Sequence, residues 1–155
     1  MMRYFVWRWT TCLAMAAMVL QLSGCATATG PKFSGIEQPA ADQGDVYLYR
    51  GSAFAAIAQS FDVLVNGKKT ASLPNASFVR LRLKPGDHVL LVTPGGLAKK
   101  SSLHVKVEAG TTRFYEYDFL TGLLANAFFI GSNIVPREPA KALEDLKELK
   151  AASAL

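Results

Sequence analysis

The chain has 155 residues, half of them hydrophobic and 19% charged, enough for one small domain around an apolar core. Lysine and arginine outnumber aspartate and glutamate 17 to 12, but Arg3 and Arg8 sit in the first nine residues, so the basicity lends little support to a nucleic-acid partner. The only cysteines, Cys12 and Cys25, lie near the front, which excludes a disulfide framework for everything behind them.

The front end reads as a secretion leader. Residues 1–9, "MMRYFVWRW", carry two arginines and no acid, and "TTCLAMAAMVLQL" follows as an uncharged core. That core has the length of a signal-peptide centre and falls short of the roughly 20 residues that span a bilayer. The arginines are not adjacent, so general secretion is expected rather than the twin-arginine route. The run closes on Leu22, Ser23, Gly24 and Cys25, and this "LSGC" resembles the lipobox of bacterial lipoproteins. The resemblance implies cleavage between Gly24 and Cys25, a thioether-linked diacylglycerol on Cys25, and a further acyl chain on the new amino terminus. Such a transfer needs a thiol as its soft nucleophile. Two or more chains anchor stably, at about 0.8 kcal/mol per buried CH₂. Residue 26 is alanine rather than aspartate, which in lipoproteins of this kind implies the outer membrane, facing the periplasm. Loss of residues 1–24 leaves 131 residues and lowers the formal charge to +3, because 15 basic residues then face 12 acidic ones.

Residues 25–44 lack an apolar period and are rich in Ala, Gly, Pro and Gln, so a lipidated cysteine and flexible tether are expected there. From Asp45 to residue 120 the pattern becomes short alternating strands. "VYLYR" (46–50) comes first, followed after an unpatterned "GSAFAAIAQS" by "FDVLV" (61–65) and "KKTASL" (68–73). Asn66-Gly67 between the last two supplies the positive φ angles of a type I′ hairpin turn. "FVRLRL" (78–83) puts Val79, Leu81 and Leu83 on one face and Phe78, Arg80 and Arg82 on the other. A Pro85-Gly86 turn leads to "HVLLVT" (88–93); "SLHVKVE" (102–108) and "TTRFYEYDF" (111–119) complete about seven strands. Turn signals at this spacing predict an all-β fold, an antiparallel β-sandwich. Residues 121–155 are expected to pack on it. "LTGLLANAFFIGSNIV" (120–135) is uncharged, interrupted by Gly and Asn, and reads as a short strand plus loop. The alternative is an exposed apolar patch. A C-terminal amphipathic helix is expected from Pro139 through "AKALEDLKELKAA" (140–152), with Leu143, Leu146 and Leu149 on a face that docks on the domain; a partner-binding helix is the alternative.

Chemistry is hard to find. His88 opens a strand beside a tight turn and His104 alternates outward, and neither has partners at metal-ligand spacing. No G-x-S-x-G elbow occurs, and "PGGLAKKS" lacks the glycine directly before Lys-Ser that a phosphate loop needs. No enzyme activity, cofactor or metal is expected. The candidate binding residues are Arg80, Arg82 and Lys84, two apart on one strand face, with Lys106 added from another strand. Tyr115 and Tyr117 beside Arg113 form an aromatic-basic strand face, of a kind that can bind glycans but more often packs beneath neighbouring elements.

"VYLYR", "FDVLVNGKKTASL", "LKPGDHVLLV", "VEAGTTRFYEY", "FFIGSNIVP" and "AKALEDLKELK", together with the lipobox, resemble a family of small bacterial lipoproteins built on a β-sandwich domain of unknown function. The turn pattern is also similar to PEGA and carboxypeptidase regulatory-type sandwiches, with Pro85, Gly86, Asp87 and His88 as the P-G-x-H element. The resemblance implies a fold and an envelope location, and no catalytic residue. The expected function is a non-catalytic, lipid-anchored envelope lipoprotein, bound to the membrane through Cys25 and to another envelope protein. The alternative is a ligand-binding module for an envelope glycan, peptidoglycan or anionic lipid.

Overall fold

The alternating segments form strands in a computed structural model that describes residues 28–53, 57–93, 100–120 and 131–152. The leader, Gly24 and Cys25 lie outside the described residues. In chain order the elements are β1 (Gly44–Arg50), β2 (Phe61–Val65), β3 (Lys68–Leu73), β4 (Ser77–Leu83), β5 (Gly86–Thr93), β6 (Ser101–Val107), β7 (Thr112–Leu120), β8 (Gly131–Pro136), α1 (Pro139–Leu146) and β9 (Lys150–Ala151). They make a sandwich of two sheets, one ordered β8-β7-β1-β4-β9 and the other β3-β2-β5-β6. The seven expected strands are all present. Pairing is antiparallel throughout except at β1–β7 and β4–β9, which run parallel.

The period-two patterns fix which side chains meet between the sheets. Val46, Leu48, Val79, Leu81, Tyr115, Tyr117 and Ile134 come from one sheet, and Phe61, Val63, Ala71, Leu73, Leu90, Val92, Val105 and Val107 from the other. Asn66 (φ 51°) and Gly67 (φ 80°) make the left-handed turn between β2 and β3 that their sequence predicts. On the flank where β6 and β8 approach, Ser101 Oγ donates to Ser132 O at 2.7 Å and lies 2.8 Å from Ser132 Oγ.

The five-stranded sheet is buried on both faces, so the molecule has three layers. Every residue of β1 is buried. Its second face carries Tyr47, Tyr49, Phe78 and Phe114, covered by Ala142, Leu146 and Leu149 from α1 and the turn after it. The C-terminal helix docks on its own domain as expected, but it is shorter than its leucine spacing predicts. It ends at Leu146, Leu149 packs from the turn after it, Lys150–Ala151 pair as a strand instead, and Leu143 is only partly buried. Tyr49 Oη donates to Asp145 Oδ2 at 3.0 Å, tying sheet to helix. Burial, reinforced by that bond, pushes the Tyr49 pKa above its ordinary value.

Two expectations about boundaries change. The sandwich does not end at residue 120: β8 and β9 extend the sheet on either edge, β8 from within the apolar 120–135 stretch. Residues 121–130 of that stretch lie outside the described residues. Part of the expected tether is docked: Ala28 is buried and residues 30–33 lie against the C-terminal strand, while most of 34–42 is exposed. Gly30 N donates to Ala151 O and Phe33 N to Leu149 O, each at 3.1 Å, while Ala151 N donates to Pro31 O at 2.8 Å. A Cβ at Gly30 would collide with Ala151 O, so only glycine permits this approach. Phe33 then stands edge-on to Phe78 (5.5 Å) and Tyr47 (6.0 Å), contacts of about 0.5–1.5 kcal/mol each. Ile36 remains 43% exposed. Composition suggested a tether because Gly30 and Phe33, which make the contacts, lie in an Ala-, Gly- and Pro-rich stretch without a periodic signal.

Candidate functional site

Arg80 and Arg82 project from β4 onto the helix-covered side of the five-stranded sheet, as their alternation with Val79 and Leu81 requires. Asp45, the second residue of β1, lies directly opposite Arg82, so Arg80 is its diagonal neighbour across the strands. The Asp45 side chain is completely buried and the Arg80 side chain is 13% exposed. Arg80 Nε and Nη2 both donate to Asp45 Oδ2, at 2.7 and 2.6 Å. Arg80 Nη1 donates to Glu37 Oε2, and Arg82 Nη2 lies 3.5 Å from the same oxygen. Burial works against the Arg80 charge, but hydrogen bonds to Asp45 and Glu37 outweigh it and hold its pKa above the ordinary arginine value. Arg80 in turn draws the exposed Glu37 carboxyl below its ordinary value, by hydrogen bonding and by charge.

The four predicted cations are therefore not one stripe. Arg80 is enclosed by two carboxylates, and Arg82 is exposed at the rim of the same cluster. Lys84 is exposed in the turn after β4. Lys106 stands on the outer face of β6, in the other sheet, because Val105 and Val107 take the inward positions. Asp45 and Glu37 were not singled out by sequence. Their role depends on the β1–β4 register and on the docked residues 30–37, which no local pattern reveals.

The other candidates also meet fold-level partners. His88 Nε2 lies 2.8 Å from Lys84 O and Nδ1 lies 3.1 Å from Asn66 Nδ2, the pattern of an imidazole carrying its hydrogen on Nε2. Asn66 Oδ1 accepts from Val89 N at 2.8 Å. This set ties the β2–β3 turn to the β4–β5 turn. His104 points outward and is exposed. Tyr115 and Tyr117 face the core, and Tyr117 packs on Phe61 at 5.3 Å, so neither offers an open glycan platform with Arg113. Arg50 is buried beyond them with its guanidinium 4.4 Å from the Phe61 ring centroid, and Nη1 donates to Gln59 O at 2.8 Å. Burial lowers its pKa from the ordinary arginine value.

A cleft of about 540 Å³ opens between the start of β7 and the start of α1, lined by Arg113, Phe114, Pro136, Arg137, Glu138 and Lys141 among others. Its cations are internally paired: Arg137 Nε with Glu116 at 2.6 Å, Lys141 Nζ with Asp145 at 2.7 Å, and Arg113 Nη2 with Glu108 at 3.7 Å. Among the described residues no group of three or more His, Cys, Asp or Glu could hold a metal ion. No helix among them is long and apolar enough to cross a membrane.

A family model described as a protein of unknown function, DUF2846, matches residues 40–132, from just ahead of β1 into β8. No curated protein and no solved structure gives a significant match. The expected likeness to a β-sandwich domain of unknown function is thereby met, whereas nothing in the comparisons links the chain to PEGA domains. With over half of its length matched, this chain belongs to the DUF2846 family.

Proposed function

We propose that this protein is a bacterial envelope lipoprotein, moored by acyl chains on Cys25, whose sandwich serves as a non-catalytic module for contact with another envelope protein. The observation that carries the reading is the "LSGC" sequence at the end of an arginine-flanked apolar leader. Cleavage before Cys25 and acylation of its sulfur account for a cysteine where a plain leader needs none. Alanine at position 26 favours the outer membrane, with the domain on the periplasmic side.

The interaction reading is preferred to ligand binding for an electrostatic reason. A phosphate or carboxylate approaching Arg80 must compete with Asp45 and Glu37, which already occupy its donors. His88 is likewise engaged in joining two turns. Crosslinking in living cells followed by mass spectrometry tests the reading. A specific envelope protein should be captured through surface lysines of the domain. Recovery of the anchored protein with no reproducible neighbour would refute the interaction role.

A further inference from the structure

We infer that the sheet edge made by residues 30–33 and β9 rests on the anionic headgroups of the bilayer, with Lys32 and Lys150 as the contacting charges; this builds on the lipid anchor proposed for Cys25. Residues 30–33 hydrogen-bond along β9 and its flanks, which makes them the outermost piece of the five-stranded sheet on that side. Only five peptide steps separate Gly30 from Cys25, a reach of at most about 17 Å. The anchor therefore brings this edge, rather than an arbitrary face, close to the membrane.

The charge pattern of the edge suits that position. Lys32 and Lys150 are partners in an isolated antiparallel bridge, so two ammonium-bearing side chains stand directly opposite each other. Like charges so placed repel and weaken the pairing they sit on. Both lysines are exposed, and neither has an acidic partner among the described residues. Lys69, Arg82, Arg113, Arg137 and Lys141 each lie within 4 Å of a carboxylate, while Lys68, Lys84, Lys100, Lys106 and Lys147, which also lack an acidic partner among the described residues, sit elsewhere in the fold and not at this edge. Glu148, two residues before Lys150, lines a separate groove with Tyr49, Glu144 and Asp145. An anionic surface attracts both ammonium groups and so offsets their mutual repulsion. Each lysine near such a surface adds roughly fivefold to membrane affinity, an effect confined to a Debye length of about 10 Å.

The test uses the acylated protein, its mass verified, reconstituted into vesicles of phosphatidylcholine alone or with phosphatidylglycerol added. Acetylation of each lysine is followed by mass spectrometry. Lys32 and Lys150 should react roughly three- to fivefold more slowly on the anionic vesicles, and molar salt should abolish the difference. Lys106, on the other sheet, should react equally on both and serves as the internal reference. Lys150→Glu should remove the protection of Lys32 without lowering the melting temperature, because it relieves the cross-strand repulsion. Equal labelling on both vesicle types, or a clear loss of stability in Lys150→Glu, would overturn this inference while leaving the anchor intact. Absence of acyl mass on Cys25 would instead remove the anchor itself.

Discussion

Asp45→Ala is expected to destabilise the domain by about 3 kcal/mol, the low end of the cost of stripping one partner from a buried ion pair. Arg80 stays behind with a 13% exposed side chain, and among the described residues Glu37, on the solvent side, is the one carboxylate left to compensate it. For a domain of this size that loss corresponds to a fall in Tm of roughly 10 °C. A double replacement, Asp45→Leu with Arg80→Met, should recover most of the deficit, because removing both charges also removes their desolvation cost. Thermal melts of the wild type, the single and the double variant decide the matter. A single variant that melts within a degree or two of wild type would mean that Arg80 does not need Asp45. The anion-binding role of the Arg80, Arg82 and Lys84 face would then regain its footing.

Leu146→Ala should cost a similar amount, about 3 kcal/mol within the 2–5 kcal/mol range for emptying a core leucine site. Leu146 is fully buried against the aromatic face of the five-stranded sheet, where Tyr47 and Phe114 stack at 5.5 Å. The cavity would open beneath α1 and beside the Tyr49–Asp145 hydrogen bond, so the loss should appear in the melting of the whole domain as one transition. If the helix were instead an independent arm, the sheet would melt at its wild-type temperature. The family match stops at residue 132, before α1. A chain cut there would expose Tyr47, Tyr49 and Phe78, and the physical domain is accordingly larger than the matched segment.

Much of the sandwich is legible locally, because a half-buried strand must alternate. Val79, Leu81 and Leu83 against Arg80 and Arg82, or Val105 and Val107 against Lys106, assign their faces with no knowledge of partners. Asn66-Gly67 likewise announces its turn through the backbone angles it allows. The third layer is only hinted at: "VYLYR" is apolar at nearly every position, the mark of a strand covered on both faces, and Phe78 and Phe114 fall on what otherwise looks like a solvent face. β9 has two residues and exists only because β4 offers an edge, so no pattern could reveal it. The candidate site fared worse for the same reason. Whether an arginine is free or enclosed depends on which carboxylate the register sets beside it, and Asp45 is 35 residues from Arg80. Tyr115 and Tyr117 show the converse: a residue type that suits glycan binding also suits a core, and burial decides between them.

Intact-mass spectrometry of the protein purified from its native membrane bears most directly on what the molecule is. A polypeptide beginning at Cys25 and heavier than its residues by a diacylglyceryl group, with or without an amide-linked fatty acid, is the predicted spectrum. A mass matching the chain from Met1, or a Cys25 terminus with a bare thiol, would contradict the account.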